Sequence, residues 1–269
     1  AGVEYPSNDL TMEDYDALAR QLTDTTYGSQ VYGCHYHTWR SAVELFGILD
    51  GKHSILDGNY DWMIPYYDMI LSEEDDGVCQ TYTDLSTEGL HYSAAFSNGN
   101  VAMMNMGSWF ISTLISNLDS GEYDSSLCGN WGIASYPHPD GAEAGSTIAT
   151  ITGLAVTSAS ANKDAAFDFV NWVSGTEGAK VMASTGNFPA IMTDDVINTI
   201  AGMAGFPTDE GSKEALNITN AYLEVPYAEN VSEINSILDT YHTSIMNREV
   251  TVEEGVASMN EQVGKILNQ

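Results

Sequence analysis

Positive charge is what this chain of 269 residues has least of. Eight Lys and Arg stand against 38 Asp and Glu, a formal net charge of −30. Such a surface repels nucleic-acid phosphates and anionic lipid headgroups, so nucleic acid is excluded as a partner, while neutral or cationic ligands are tolerated. Long apolar runs are missing as well. Nothing reaches the roughly 18 residues that suggest a membrane-spanning helix; residues 101–115 come nearest, and Asn105, Gly107 and Ser108 interrupt them. Cysteine is scarce: Cys34, Cys79 and Cys128 are too few for a disulfide scaffold and match no zinc spacing. Two readings stay open for them, one Cys79–Cys128 bridge with Cys34 free, or three buried free thiols. Catalytic signatures are also lacking: there is no G-x-S-x-G elbow, no G-x-x-x-x-G-K-[ST] loop, no H-E-x-x-H and no C-x-x-C. A carboxylate pair could be nominated as a glycosidase dyad, but among 38 acids that nomination carries little weight. No cofactor is expected. The chain starts at Ala1 without an initiating Met or a signal peptide, as expected of a processed or trimmed protein.

What is present is an ordinary globular balance, with 43% hydrophobic residues, enough for one large or two modest domains. Thr11, followed three residues later by Asp14, predicts a helix start, with Tyr15, Leu18, Ala19 and Leu22 on its apolar stripe. Thr23 to Gln30 reads as a turn-rich break. Ala42, Leu45, Phe46 and Leu49 predict a second helix. A third carries Pro65 in its first turn and turns Tyr66, Met69 and Ile70 inward. Glu73 to Gly77 reads as a solvated acidic loop without EF-hand spacing. Strands are expected at Trp131–Tyr136 and Ser146–Thr157. Ser160 is expected to cap a helix with Ala166, Phe169, Val170 and Val173 on one face. Residues 193–226 read as short helices and loops. A long helix carries Ile234, Ile237, Leu238, Tyr241 and Ile245. Thr251 and Glu254 predict a capping box for the last helix, whose stripe is Val252, Val256, Met259, Val263 and Leu267. Few strands separated by many helices give an α/β or α+β class with helix in excess.

Two stretches carry candidate chemistry. In Ala94 to Ile115, Asn98-Gly99 breaks a helix, Val101 to Met106 reads as a buried strand, and Gly107-Ser108 opens a second helix with Trp109 in its first turn. Trp109 is either a core anchor or an aromatic facing a ligand beside free backbone N–H groups. Val31 to Trp39 is strand-prone and dense in aromatics. On a strand, His35 and His37 face one side and Tyr36 the other. The histidines are metal ligands, satisfied or surface residues, or, with Trp39, the lining of a sugar cleft. Arg40, one of three arginines, is either paired structurally with a carboxylate or holds a ligand.

Four stretches in order carry a resemblance. F-x-x-G-x-V-A-M-x-x-x-G-S-W over 96–109, GVEYPSNDLTMEDYDALARQLT near the start, ITGLAVTSASANKDAAFDFVNWVSGTEGAKVMASTGNFPA over 151–190 and REVTVEEGVASMNEQVGKILN at the end resemble the maltose-binding-like extracellular solute receptors of ABC importers. The resemblance implies a helix-rich α/β, periplasmic-binding-protein-like (type II) fold, two-lobed and closing on a sugar by hinge motion. It implies no enzyme activity, a mono- or oligosaccharide ligand, a membrane permease as partner, and a place outside the membrane as a lipoprotein or periplasmic protein. Trp109 matches the family's tryptophan that commonly stacks on sugar, with Ser108 beside it. Trp39, Tyr36, His37 and Arg40 fall where the larger lobe offers further contacts, and Thr152 and Gly153 lie near the hinge-crossing strand. Glu233 and Asn235 occupy a neighbourhood where the family often has an aromatic. About 110 residues of the family's first lobe have no counterpart here. The expected division is therefore 1–145 with 193–269 as a C-terminal-type lobe, and 146–192 as a crossover belonging to the other lobe, folding against a neighbouring molecule or lying differently from the family. Rivals are a receptor for a cationic solute such as a polyamine, a carbohydrate-active hydrolase and a surface adhesion module.

Overall fold

The Thr11 hydroxyl accepts a hydrogen bond from the Asp14 N–H at 3.1 Å, and this cap starts α1 (Met12–Leu22), which turns Tyr15 and Ala19 inward. The break expected at 23–30 falls mostly outside the described residues, since the structure, a computed structural model, describes residues 2–24 and 30–268. β1 (Tyr32–His35) follows. Glycine is required at position 33, because a Cβ there would sit 1.7 Å from the Ala19 carbonyl oxygen; without one, strand and helix backbones close on each other. α2 (Ser41–Ile48) is buried on more than the expected stripe: Val43, Glu44, Gly47 and Ile48 join Phe46 inside. A 3₁₀ turn (Asp61–Met63) leads into α3 (Ile64–Asp75), with proline in its first turn.

The acidic run after Leu71 is not a solvated loop. α3 continues through it, and Glu73 and Glu74 are only 0% and 7% exposed. The inner stripe centred on Tyr67 and Ile70 extends by three and four residues, which places both carboxylates inside. α4 (Tyr82–Glu88), α5 (Tyr92–Ser97) and β2 (Val101–Met104) come next. β2 pairs parallel with β1, Tyr32 opposite Val101 and His35 opposite Met104. Parallel pairing needs a long crossover, and the intervening helices supply it.

α6 (Trp109–Ser120) and α7 (Ser125–Cys128) precede the stretch expected as a strand at 131–136. It forms none. The Ile133 N–H donates to the Ser212 hydroxyl at 2.9 Å and the Ser135 N–H to the Asn8 side chain at 2.8 Å, so side-chain acceptors replace a ladder. β3 (Ser146–Ala149) is the ordered remnant of the longer strand expected to reach Thr157. In α8 (Lys163–Val173) the N-cap is Asn162, not Ser160, whose hydroxyl instead accepts from the Asn162 N–H at 3.2 Å. The inward face expected for α8 is not buried at any residue, and Phe169 is 61% exposed.

α9 (Thr176–Ala183), α10 (Asp194–Ala201) and α11 (Glu210–Glu214) follow. β4 (Asn220–Leu223), hidden in the stretch read as helices and loops, pairs parallel with β3 from Ser146–Asn220 to Ala149–Leu223. α12 (Val231–Met246) and α13 (Val252–Leu267) close the chain. Both bonds of the Thr251–Glu254 capping box are made. The α13 stripe ends at Ile266 rather than at Leu267, which is 46% exposed.

Two compact units result. One comprises 1–105, 134–150 and 218–269; the other comprises 106–133 and 151–217. These borders differ from the expected 145/146 and 192/193 cuts because α6 residues Ile111 and Ile115 pack with α9 and α10 in one small core. Cys34, Cys79 and Cys128 are all free and buried. The Cys79–Cys128 bridge is not formed; the Cys128 sulfur approaches its own helix at the Asp124 carbonyl, 3.6 Å away.

Candidate functional site

In the larger unit the alternation at the end of β1 sorts the side chains. Tyr36 turns into the core, 5% exposed, edge-on to Tyr15 at 6.5 Å and to Phe46 at 6.4 Å. It is a packing residue and not part of a surface site. His35 and His37 share the opposite side, their rings stacked at 6.5 Å and 29°. His35 is fully buried, and burial pulls its pKa down to about 4. Among the described residues no third metal-ligating group joins this pair.

His37 is half-buried and begins a different cluster. Trp39 meets it edge-on at 4.5 Å, Tyr92 at 5.4 Å and His91 at 6.0 Å. Trp39 and Tyr92 lie 5.7 Å apart, and His91 and Tyr92 only 4.0 Å. Trp39 is 43% exposed, and His91 is exposed too. The sequence reading missed His91 and Tyr92. The signal available was the aromatic pair opening α5 just after the Gly89 turn; there His91 Nδ1 accepts from the Ser93 N–H at 3.4 Å and caps the helix. Burial, with His91 adding to it, lowers the His37 pKa, so its imidazole is neutral near pH 7 and offers one donor and one acceptor. A cavity of about 10 Å³ beside His37, bordered by Glu74, Gln80, Tyr82 and His242, has room for about one water. This cavity does not admit a larger ligand.

Arg40 is buried and fully engaged. Its guanidinium bonds Glu44, the Asn235 side-chain oxygen and, at 2.8 Å, Asp239. This is the structural pairing, tying α2 to α12, and it also occupies Asn235. Burial pushes the Glu44 carboxyl up to about 7 against the pull of Arg40. Glu233 is exposed on the first turn of α12.

In the smaller unit Trp109 stands in the first turn of α6, 39% exposed, while its neighbour Phe110 is buried. It is no core anchor. The indole lies over Gly107, where an added Cβ would come within 2.1 Å of the ring. The backbone donors expected beside it are already used, since the Phe110 and Ile111 N–H groups bond the Gly107 and Ser108 carbonyls at 3.0 and 3.1 Å. Ser108 makes no side-chain cap. Thr152 and Gly153 are exposed, in a stretch without ladder partners.

Residues 73–204 match bacterial extracellular solute-binding proteins, and the chain belongs to that family, with a helix-rich α/β, periplasmic-binding-protein-like fold. Among solved structures, a sugar transporter from Rhizobium etli in an open conformation is 47% identical at a TM-score of 0.90, over 98% of this chain and 66% of that one. An ABC substrate-binding protein from Listeria monocytogenes in complex with cycloalternan is 21% identical at a TM-score of 0.75, over 99% and 66%. The maltose-bound MalE3 of T. maritima is 16% identical at 0.71, over 98% and 67%. The last two carry the fold alone. The chain spans about 66% of the length of the first of these proteins. No protein of curated function matches it. Among the described residues no helix is long and apolar enough to cross a membrane.

Proposed function

We propose that this chain belongs to the solute-capturing component of an ABC importer, and that its solute is a neutral mono- or oligosaccharide. The observation that carries this reading is the partly exposed cluster of His37, Trp39, His91 and Tyr92, in a chain that belongs to the solute-binding family. Sugar rings present C–H faces to aromatic planes and hydroxyls to imidazole nitrogens. Trp109, exposed over Gly107, is proposed as a further aromatic contact, and Ser108, Thr152 and Gly153 as further polar contacts. Arg40, Asn235 and Tyr36 enter as support for the site, and Glu233 as an exposed polar contact. The protein is proposed to catalyse nothing, to hand its solute to a membrane permease, and to work outside the membrane as a lipoprotein or periplasmic protein.

The resemblance further supports reading 146–192 as a crossover belonging to another lobe, or as a contact between copies. In favour is α8, which presents Phe167, Phe169 and Trp172 at 63%, 61% and 48% exposure. A compact monomer in sedimentation, with this segment protected in hydrogen exchange, overturns that part.

The ligand is tested by titration calorimetry with maltose, longer maltooligosaccharides and polyamines. Trp39→Ala and Trp109→Ala are each expected to weaken sugar binding by at least ~1 kcal/mol, the scale of one aromatic contact. Binding of polyamines and not sugars supports the cationic-solute rival. Release of reducing ends from oligosaccharides by the pure protein supports the hydrolase.

A further inference from the structure

Away from the aromatic cluster, the larger unit holds a second concentration of reactive groups that the solute-binding reading does not use. The Cys34 and Cys79 sulfurs and a Glu73 carboxylate oxygen all lie within 4.8 Å of one another. The three residues are 0%, 2% and 0% exposed in that order. Among the described residues neither Glu73 oxygen, nor the hydroxyl of Tyr15 or Tyr36, makes a hydrogen bond of good geometry, although the Tyr36 hydroxyl faces the Glu73 carboxyl. Buried polar atoms are nearly always satisfied, and a buried carboxylate without a partner is among the costliest exceptions.

The backbone holds this trio together. The Val78 N–H donates to the Glu73 carbonyl at 2.8 Å, which folds the end of α3 back so that Glu73 and Cys79 stand side by side. The Val78 carbonyl then accepts from the Gly33 and Cys34 N–H groups at 2.9 and 3.4 Å, fixing β1 against that turn. The donor atoms therefore sit on a strand, a helix end and a tightly bonded turn, not on a free loop.

We propose that Cys34, Glu73 and Cys79 bind a thiophilic divalent cation, with Zn²⁺ the best match. Two soft sulfurs and one carboxylate oxygen are a donor set that suits zinc and disfavours calcium or magnesium, which take oxygen ligands. Binding releases three protons, one from each thiol and one from the carboxylic acid, and the cation neutralises two of the three negative charges left behind. Without a cation, burial pushes the Glu73 carboxyl up to about 8, although Tyr36 and Arg20 draw it the other way. The Tyr36 hydroxyl, turned toward Glu73, is the group placed to orient the bound carboxylate.

The test uses the whole chain, stripped with a chelator and then given Zn²⁺ or Co²⁺ alone. Expected are one metal per chain by elemental analysis, a rise in melting temperature on Zn²⁺ addition, and sulfur-to-Co²⁺ charge-transfer absorption. Cys34→Ser and Cys79→Ser lose the absorption and the stoichiometric metal, while Cys128→Ser keeps both. Glu73→Gln, with circular dichroism checking the fold, weakens binding by at least the roughly tenfold that losing even an outer partner of a ligand costs. Two results overturn the proposal in the wild-type protein, whatever the variants do. Absence of metal with all three thiols titratable in denaturant assigns a neutral hydrogen-bonded cluster. A single titratable thiol, with the mass of two hydrogens missing, assigns a Cys34–Cys79 disulfide.

Discussion

The two units of this molecule bury their side chains in different ways. Among the described residues the larger has a core of 24 buried apolar side chains around Phe46, Tyr60 and Tyr67, and also buries the charged or ionisable groups His35, Arg40, Glu44, Glu73, Glu74, His138 and His242. The smaller has a core of six, Ala179, Ala183, Val196, Ile200, Phe206 and Leu216, with Phe110, Leu114 and Cys128 buried beside it in the unit, and among the described residues its one buried polar side chain is Ser212. Buried apolar area sets how firmly a region resists opening. Buried ionisable groups set how strongly that resistance varies with pH. The larger unit should therefore be the firmer and the more pH-sensitive of the two.

The strongest attempt to break this comparison is paired truncation. Phe46→Ala is expected to cost about 3–5 kcal/mol, as for a phenyl ring removed from a dense core. Phe206→Ala is expected to cost less, since its core is small and can collapse around the loss. Hydrogen exchange by mass spectrometry reads both, and equal losses of protection in the two units defeat the contrast.

A pH series is next in size. Glu44 and Glu73 have folded pKa values of about 7 and 8, above the ordinary 4.5. The folded state holds these protons more tightly than the unfolded chain, so their contribution to stability is full at low pH and is lost as pH rises through 7 to 8. Each group changes stability by up to ~1.4 kcal/mol per pH unit inside its window. His35 and His242 run the other way. Burial lowers them to about 4 and about 3 from 6.5, so their contribution is full above 6.5 and is lost as pH falls below it. The two sets oppose each other between about 4.5 and 6.5, and above that the carboxylates act alone. Metal-free protein should lose stability from pH 6.5 to 8, with the change confined to amides of the larger unit. Glu44→Gln should flatten the part that ends near 7 and leave the slope toward 8 to Glu73. A matching change in the smaller unit would show that the ionisable groups are not what separates them.

The smallest effect expected is on α8. Phe169→Ser and Trp172→Ser should each change the stability of the isolated chain by no more than about 0.5 kcal/mol, because these rings are largely exposed. A loss above 2 kcal/mol by chemical denaturation would mean that the face is packed in solution.

Legibility followed locality. The Thr11 and Thr251 caps were readable because a helix start depends on residues three apart. The stripes of α12 and most of α13 were readable because helical period alone orders them. β4 was not, because its identity rests on a parallel partner about 70 residues earlier in the chain, and a four-residue strand has little pattern of its own. The 131–136 stretch looked β-prone yet found side-chain acceptors instead of a strand. Of the candidate site, Trp39, His37 and Trp109 were legible as aromatics in polar or glycine-rich company. His91 and Tyr92 join His37 and Trp39 only because the crossover returns α5 to the end of β1.

By itself the sequence determined the helix-rich α/β class, the helix starts, the acidic surface and the resemblance to solute receptors. Each of these depends on composition or on neighbours within a few residues. Tertiary structure decided which polar groups went inside. Arg40 became an internal tie, Glu73 and Glu74 left the solvent, and Cys34 found Cys79 rather than Cys128 finding a partner. Burial is a property of everything packed around a side chain, and the energy of a charge or thiol depends on that surrounding medium far more than on its neighbours in sequence.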